Sequence, residues 1–291
     1  MNGIINVLKP TGMTSHDVVA RIRRITGIKK VGHSGTLDPN AAGVLPICIG
    51  KSTRLSEYLL NSDKVYMCEA TLGIRTDTYD SYGAIVHRDR HLKKIDESVV
   101  KSVLKSFLGE SLQAPPMYSA LKINGKKLYE YARKGQEIEV KSRVINIKSI
   151  ELITYDFPKL TFKTHVSKGT YIRTLCNDIG LALGTYACMS WLIRTESKGL
   201  KIEDSYTLTE LEDMITHRNN LFLTSPEKVL GFKKITFVEE QIIKLRNGMS
   251  IEINHGLTRE DLFFILDDQS TLWGIGEVKD KNIVKMRKLL I

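Results

Sequence analysis

The stretch GHSGTLDPNAAGVLPICIGKSTRL, residues 32–55, places a single carboxylate, Asp38, among glycines, small residues and prolines. Gly35 and Gly43 permit close approach of the backbone, proline stiffens the turn, and Thr36 could bond locally to hold Asp38 outward. A loop of this kind presents one acidic side chain. Residue types alone leave two interpretations open, an aspartate that closes an Asx turn and a catalytic carboxylate that works without a second acid.

Regular elements are predicted on the N-terminal side of this loop. Residues 3–9, GIINVLK, are typical of a short buried strand that proline and glycine stop. Thr14 has the position of a helix N-cap with Asp17 three residues on, and the helical spacing of apolar residues ends at Gly27. A strand followed by a capped helix therefore leads into the loop.

On the C-terminal side, a helix through Leu55 and Leu59 is expected to precede a strand over residues 64–73. That strand puts alternate residues on one face: Tyr66, Cys68, Ala70 and Leu72. Later elements are predicted as a helix over residues 96–108 with Val99, Val103, Leu104 and Phe107 at helical spacing, a hairpin turn at Asn124-Gly125, antiparallel strands in 148–157 and 160–166, and a helix in 169–184.

Composition indicates a globular chain with its own core. It has 291 residues, of which 42% are apolar and 26% charged, and no apolar run approaches the ~20 residues of a membrane span. The N-terminus shows no secretory or transit signal, so we expect a cytoplasmic protein without membrane contact. The four cysteines form no CxxC pair, which disfavours a zinc site and a disulfide framework and predicts reduced core thiols.

Positive charge is concentrated in two segments. The net charge is +10, and residues 1–61 and 117–148 each hold eight Lys and Arg against three Asp and Glu, whereas residues 230–291 hold ten against nine. Such patches are typical of a surface that follows a phosphate backbone, although a generically basic protein is an alternative. A polar stretch around 225–234 predicts a boundary between domains 1–229 and 230–291, the second being small and β-rich.

The quoted loop is similar to the signature loop of the bacterial tRNA pseudouridine 55 synthases, the TruB family. The resemblance continues, in family order across roughly the first 200 residues, through INVLKPTGMTSHDVV, DKVYMCEATLGIRTDTYDSYG, APPMYSALKINGKKLYEYARKG and SKGTYIRTL. It implies an α+β fold, with a mixed, largely antiparallel central sheet flanked by helices. Residues 230–291 resemble the family's PUA-like RNA-binding domain by position and β character, and a monomer is the family expectation.

The resemblance also implies a reaction. The family detaches uracil from the ribose of uridine 55 in the tRNA T loop, rotates it and rejoins it through carbon 5, without metal, cofactor or guide RNA. Asp38 matches the family nucleophile, which explains why the acid stands alone. Whether it attacks carbon 6 of the base or carbon 1′ of the ribose is open. A separate role in tRNA folding is also open.

Three further residues match the family's pocket. A buried lone acid tends to protonate, so it needs a cation, and Arg173 in the GTYIR block matches the family's partner of the aspartate. Tyr66 matches the tyrosine that stacks on uracil, and Leu192 an apolar floor residue. The alternatives are that Arg173 is a solvated arginine in the first turn of a helix and that Tyr66 and Leu192 are ordinary core residues.

RNA contacts are implied by the same blocks. His33 resembles the histidine that wedges into the T loop, Tyr171 belongs to the GTYIR block, and segment 117–143 resembles the part of the family that clamps the RNA. Basic side chains are candidates for phosphate contacts, with solvated surface charge as the alternative: Lys9, Lys51, Lys122, Lys126, Lys127, Arg133 and Lys168.

The chain departs from the family pattern at the pocket floor. Ile193 stands where the first of two arginines is common, and Arg194 is retained. Asp77 and Asp80 are interpreted as a polar turn, because their spacing does not fit an EF-hand. Two other functions remain as alternatives: an RNA-folding factor without catalysis, and a guide-RNA-dependent enzyme of the dyskerin type.

Overall fold

The computed structural model describes residues 1–136, 138–254 and 256–291. The strands in these ranges are β1 (Gly3–Lys9), β2 (Val31–His33), β3 (Ala42–Ile49), β4 (Lys64–Leu72), β5 (Ile74–Thr76), β6 (Ile85–Arg88), β7 (Gly109–Gln113), β8 (Lys122–Ile123), β9 (Lys126–Lys127), β10 (Arg143–Asp156), β11 (Lys159–Val166), β12 (Ala187–Ser197), β13 (Leu200–Lys201), β14 (Leu223–Thr224), β15 (Lys233–Thr236), β16 (Ser250–Glu252), β17 (Leu262–Leu266), β18 (Leu272–Asp280) and β19 (Ile283–Leu289). The α-helices are α1 (Ser15–Thr26), α2 (Ser56–Leu60), α3 (Glu97–Ser106), α4 (Leu128–Ala132), α5 (Ile172–Ala182), α6 (Leu208–Thr216), α7 (Pro226–Leu230) and α8 (Glu239–Arg246).

A ten-stranded sheet forms the centre of the described part of the chain. Its main order is β14-β1-β3-β12-β4-β11-β10-β7, with β2 paired to β3 and β13 paired to β12. All of these pairings are antiparallel except that of β3 with β12, which is parallel. The predicted mixed, largely antiparallel α+β sheet is therefore confirmed.

The parallel contact brings the two strands that carry the quoted loop and the pocket floor side by side. Gly43 pairs with Arg194 and has φ +111°. A Cβ at Gly43 would lie 2.2 Å from the carbonyl oxygen of Arg194, so only glycine permits this approach. The sequence-based expectation of close backbone approach at this glycine is confirmed.

Local signals predicted the helices beside the site correctly. The side chain of Thr14 accepts a hydrogen bond from the amide of Asp17, whose carboxylate reciprocates, and Gly27 ends α1 in the left-handed conformation. Helix α5 buries Ile172 and Ile179 in the core beneath the β4 face that carries Tyr66. The start of α1 and the side of α5 that faces the sheet are therefore as predicted, whereas α5 begins at Ile172, three residues after the predicted start at residue 169.

Helix α3 corrects one predicted detail. Val100 and Leu104 are buried, whereas Val99 is 46% exposed. The helix begins at Glu97, and burial follows the face that packs on the sheet core, so Val100 rather than Val99 is the inward residue. The helix itself is confirmed, and only its orientation differs from the expectation.

Segment 117–143 contains a small hairpin and a short helix between β7 and β10. Strands β8 and β9 pair around Asn124 (φ +51°) and Gly125 (φ +81°), as a type I′ turn requires, which confirms the predicted turn. Leu128 of α4 is fully buried, so the segment has its own apolar anchor. Residue 137 of the predicted segment lies outside the described residues.

A second sheet forms near the C-terminus, in the order β15-β17-β18-β19-β16. The predicted β character is confirmed, and α8 is an element that the sequence interpretation did not include. Phe264 and Ile275 of this sheet share one buried cluster with Ile4 and Leu59, so apolar packing joins the two sheets. The division at residues 229 and 230 stays a prediction.

In the described ranges, no helix combines the length and the apolar character needed to cross a bilayer.

Candidate active site

Asp38 lies in the connection between β2 and β3, and side chains from β1 and α1 hold that connection. The hydroxyl of Ser15 accepts a hydrogen bond of 3.0 Å from the Leu37 amide. The ammonium group of Lys9 donates to the carbonyls of Ala41 at 2.8 Å and Pro39 at 3.1 Å. The loop conformation is therefore set by residues at least 22 positions away in sequence.

Two expectations are corrected here. Lys9 is fully buried and also donates to the Pro10 carbonyl at 2.7 Å, so its ammonium group is not available to a phosphate. Burial lowers the pKa of Lys9 to about 8. Thr36 is exposed and, in the described part of the chain, has no side-chain hydrogen bond that would orient Asp38. Lys9 and Ser15 perform the task that was assigned to Thr36.

Asp38 and Arg173 face each other in two-point geometry. The Nε atom of Arg173 lies 2.9 Å from Oδ2 of Asp38, and Nη2 donates to Oδ1 at 3.2 Å. Arg173 stands in the first turn of α5 with a side chain only 7% exposed, whereas the Asp38 side chain is 36% exposed. The arginine is thus buried, whereas the carboxylate that it holds is partly accessible.

The guanidinium of Arg173 has three further acceptors around it. It donates to the carbonyl of Thr78 at 3.2 Å and to that of Tyr118 at 2.8 Å. Its Nη1 atom lies 3.6 Å from Oδ2 of Asp80, whose side chain is 15% exposed. These contacts fix the plane of the guanidinium and connect segment 117–143 directly to the site.

Asp80 was missed by the sequence interpretation, which assigned it to a polar turn. Its carboxylate accepts hydrogen bonds from Thr78 Oγ1 at 2.8 Å and from the Tyr82 amide at 3.1 Å, so the turn exists and also presents the acid to Arg173. The available signal was its place in RTDTYDSYG, a block directly after the strand of Tyr66. The contact between Asp80 and Arg173 could not be predicted from sequence, because the two residues are far apart in the chain.

Opposing effects act on the charge of Asp38. Loss of hydration raises the pKa of this carboxyl, Arg173 lowers it, Asp80 raises it and Lys9 lowers it, and the balance lies above the ordinary value. Arg173 is the largest favourable influence on the ionised form. A nucleophilic carboxylate at this position therefore depends on that guanidinium.

Tyr66 and Leu192 are brought to the same apolar cluster as the loop. Tyr66 on β4 lies between β11 and β12 and is 8% exposed, and Leu192 on β12 is 7% exposed. Leu37 and Ala41, which flank Asp38 in sequence, belong to this cluster as well. The predicted pocket residues therefore belong to one buried cluster, and their chemical roles stay predictions.

His33 ends β2 and meets a residue that the sequence interpretation did not include. Its ring packs edge-on against His16 of α1 at a centroid distance of 5.1 Å. Burial, followed by the charges of His16 and Arg194, lowers the pKa of His33 to about 4. His33 is neutral near pH 7, which suits insertion between bases more than contact with phosphate.

Arg194 supports the loop from below. It is 1% exposed, and its guanidinium donates to the carbonyls of Val44 at 2.7 Å and Gly35 at 3.0 Å. Gly35 has φ +94°, and an added Cβ would lie 3.3 Å from the guanidinium. Ile193 next to it is half-buried on β12. The retained arginine is a structural support of the Asp38 loop.

The remaining candidates for RNA contacts lie at or near the surface. Lys127 and Arg133 both pack over the ring of Tyr129 at 5.3 Å, and the backbone of Tyr171 exchanges two hydrogen bonds with the side chain of Gln113. Arg133 is exposed, as are the other basic candidates: Lys51, Lys122, Lys126 and Lys168. Their RNA contacts stay predictions.

The cysteines and acids of the described residues form no metal-binding group. No cluster of three or more His, Cys, Asp or Glu side chains is placed there to hold an ion. Cys68 and Cys176 approach to 3.4 Å between sulfur atoms, and all four cysteines are buried thiols.

Comparisons with known proteins identify the family of the chain. Residues 23–172 match the model for the N-terminal domain of TruB family pseudouridylate synthases, and residues 173–230 match that for the C-terminal domain of tRNA pseudouridylate synthase B. The tRNA pseudouridine synthase B of Clostridioides difficile (strain 630) is 43% identical, with both chains covered completely. That of Alkaliphilus oremlandii is 54% identical over 73% of this chain and 70% of its own.

Solved structures show the same architecture. The crystal structure of a Cbf5-Nop10-Gar1 complex contains a chain that is 28% identical, with a TM-score of 0.76 over 99% of this chain and 85% of that one. The structure of an H/ACA RNP bound to a substrate RNA gives 27% identity and a TM-score of 0.75, with coverage of 99% and 85%. On the family models, the identity over complete chains and the shared fold, this protein belongs to the TruB family of pseudouridylate synthases.

Proposed function

We propose that this protein converts uridine 55 in the T loop of tRNA to pseudouridine, with Asp38 as the nucleophile. The observation that carries the proposal is the two-point contact between Asp38 and Arg173. A partly exposed carboxylate that is oriented by a buried guanidinium suits attack on a substrate that binds against it. Relatives named tRNA pseudouridine synthase B support tRNA as the substrate.

The chemistry is an isomerisation, so atoms and charge balance within the substrate. The bond between N1 of uracil and C1′ of ribose breaks, a bond between C5 and C1′ forms, and the proton on C5 leaves while N1 gains one. Asp38 acts as a nucleophile either by adding to C6 of the base or by adding to C1′ of the ribose. Tyr66 packs against uracil and is the candidate acceptor of the C5 proton.

Base flipping sets an energetic requirement. Removal of a base from its stack costs a few kcal/mol, and one stacking contact with an aromatic side chain returns about 1–3 kcal/mol. Tyr66 therefore balances the cost only partly. We assign the remainder to phosphate contacts by the exposed lysines and arginine, to neutral His33 in the T loop and to segment 117–143 closing on the RNA.

Recognition of the T stem-loop is proposed to need no guide RNA. The long basic segment 117–143 resembles the stand-alone bacterial branch, and its Tyr118 carbonyl already contacts the catalytic arginine. The PUA-like sheet of residues 230–291 is proposed to extend the RNA surface. We expect a monomer, and assistance to tRNA folding is compatible with the same surface.

The decisive experiment compares wild type with Asp38→Asn on unmodified tRNA transcript and on a bare T-arm stem-loop. We expect pseudouridine at position 55 on both RNAs with wild type, and a loss of ~10³-fold or more with the variant at nearly unchanged RNA affinity. Product from Asp38→Asn at the wild-type rate would refute the nucleophile. Activity only in the presence of added guide RNA would favour the dyskerin-type alternative.

A further inference from the structure

Residues 87–94, HRDRHLKK, cover the end of β6 and the start of its connection to α3. This segment holds four Arg and Lys and two His against one Asp. All four of its cations are exposed: Arg88, Arg90, Lys93 and Lys94. Segment 87–94 is a third concentration of positive charge beside residues 1–61 and 117–148, and no step of the reaction described above uses it.

The charge of this segment is not neutralised by neighbouring acids. Within the described ranges, none of its four cations forms an ion pair or a side-chain hydrogen bond. The carboxylate of Asp89 is occupied by the hydroxyl of Thr185 at 2.8 Å. Asp96 and Glu97 follow at the start of α3, where Glu97 pairs with Lys101 at 2.6 Å. Four clustered cations without acidic partners create a local positive potential that attracts an anionic ligand.

Segment 87–94 is anchored to the body of the protein. The amide of Asp89 donates to the carbonyl of Gly73 at 2.8 Å, and its carboxylate also accepts from the amide of His91 at 3.0 Å. Leu92 packs against the core cluster beneath the sheet. A Cβ at Gly73 would lie 2.6 Å from Leu92, so the segment packs closely on the end of β4. The cations therefore project from a backbone of fixed position.

Aromatic rings accompany these cations. The ring of His87 stacks on that of Tyr186 at a centroid distance of 4.9 Å and an interplanar angle of 10°. His87 is nevertheless exposed, and Arg75 lies opposite it across the β5-β6 pair. Bases stack on such rings while Arg and Lys bind phosphates, so the combination favours RNA over an acidic protein as the ligand.

The segment lies away from the catalytic pair. Arg173 stands in the first turn of α5, and segment 87–94 contacts the turn after the last, about 15 Å away along the helix. Lys168, a candidate phosphate contact, bonds Asn61 near the start of β4, whereas Gly73 follows the end of this nine-residue strand, about 26–30 Å away. RNA that meets Lys168 with its stem and Asp38 with its loop reaches segment 87–94 only beyond that loop.

We propose that segment 87–94 is a second RNA-binding surface, which contacts the phosphate backbone of the tRNA outside the T stem-loop. The inference rests on the proposed function, because the T loop must be bound at Asp38 for the rest of the tRNA to reach the segment. The contacts supply affinity and orientation without reading bases. Complete tRNA is then held at two places, and an isolated T stem-loop at one.

The test compares binding of unmodified tRNA transcript and of T-arm stem-loop over a range of salt concentrations. The variant replaces all four cations of the segment by glutamine. For the transcript, we expect the slope of log K against log salt to become shallower by about 2–4, because each lost phosphate contact removes ~0.7–0.9. The affinity for the transcript should fall about tenfold or more at ~0.1 M salt. The slope and the affinity for the stem-loop should stay within twofold of wild type.

A matched control removes the same number of charges at exposed positions scattered over the described surface. It carries glutamine at four positions: Arg24, Lys105, Lys163 and Arg218. Its affinity for both RNAs should remain close to that of wild type. Thermal unfolding shows whether each variant is folded. If the fourfold variant of the segment does not fold, the double variants Arg88→Gln with Arg90→Gln and Lys93→Gln with Lys94→Gln decide, each with about half of the slope change.

Failure of the proposed function and failure of this inference are separable. If wild type forms no pseudouridine on either RNA, the proposed function fails. If wild type is active but the segment variant binds the transcript like wild type or like the control, the function stands and the second surface is refuted. An equal loss of affinity for the transcript and for the stem-loop also refutes it, because the contacts would then lie within the T arm.

Discussion

Replacing Arg173 by methionine removes both hydrogen bonds to Asp38 and keeps a side chain of similar length. The bonds measure 2.9 and 3.2 Å in the structure, and the guanidinium is the largest influence that favours ionised Asp38. Without it, loss of hydration and the charge of Asp80 raise the pKa of Asp38 further. On the proposed mechanism, activity requires the ionised carboxylate and is lost as the pH falls through that pKa. The acidic limb of the pH-rate profile should therefore move to higher pH.

The size of the effect follows from the two contacts. A hydrogen bond to a charged group is worth about 1.5–3 kcal/mol. Because 36% of the Asp38 side chain is exposed, solvent screening reduces the pair to about 2–3 kcal/mol in total. At 1.36 kcal/mol per decade, the rate should fall about 30- to 150-fold. Arg173→Lys, which retains the charge without the two-point geometry, should lie between wild type and Arg173→Met.

Single-turnover pseudouridine formation on T-arm stem-loop RNA, measured as a function of pH, is the appropriate assay. Arg24→Met, at an exposed position of α1, serves as the control for loss of an arginine. RNA affinity, measured separately, should change little. A rate within threefold of wild type together with an unmoved acidic limb would show that Arg173 does not maintain the charge of Asp38.

Two further outcomes test the surroundings of the pair. Asp80→Asn should lower the rate about tenfold, because the guanidinium of Arg173 loses one of its partners. The charge of Asp80 raises the pKa of Asp38, so its removal should shift the acidic limb of the pH-rate profile to lower pH. A shift to higher pH in the same assay would contradict this. Gly43→Ala should destabilise the protein by at least ~3 kcal/mol and lower its Tm by ~6 °C or more, because the new Cβ meets the Arg194 backbone at 2.2 Å. Gly27→Ala, with open space around it, should cost ~1 kcal/mol, and equal Tm values for the two variants would oppose the close-approach argument.

The loop that carries Asp38 is held by buried cations as well as by its own sequence. Lys9 bonds the carbonyls after Asp38 and Arg194 bonds the carbonyl of Gly35 before it. Both donors are fully or almost fully buried and both act on backbone oxygens. The positive charge around Asp38 therefore serves positioning first, and exposed residues elsewhere remain for RNA contacts.

Local information was sufficient for many elements because the physical causes are local. The capping box of Thr14 and Asp17, the left-handed end of α1 and the turn at Asn124-Gly125 each depend on a few neighbouring residues. Alternation identified the buried face of β4 in the same way. The resemblance to a known family added the catalytic roles and the sheet type, which periodicity does not provide.

Long-range partners account for what was missed or misassigned. Lys9 was predicted to contact phosphate, but its ammonium group donates to three backbone carbonyls. Asp80 was assigned to a turn, but its carboxylate also lies 3.6 Å from the guanidinium of Arg173 on α5. Val99 and Val100 are neighbours with the same side chain, and only packing on the sheet separates the exposed one from the buried one.

Sequence therefore identifies the residues that cap α1 and form the turn at Asn124-Gly125, since these depend on neighbouring residues, and the family resemblance identifies the acid. Which cation neutralises the acid and which lysine is withdrawn from solvent depend on atoms 30 to 135 positions apart. Burial and charge pairing are properties of that assembled environment, so they arise only when the sheet closes around the loop.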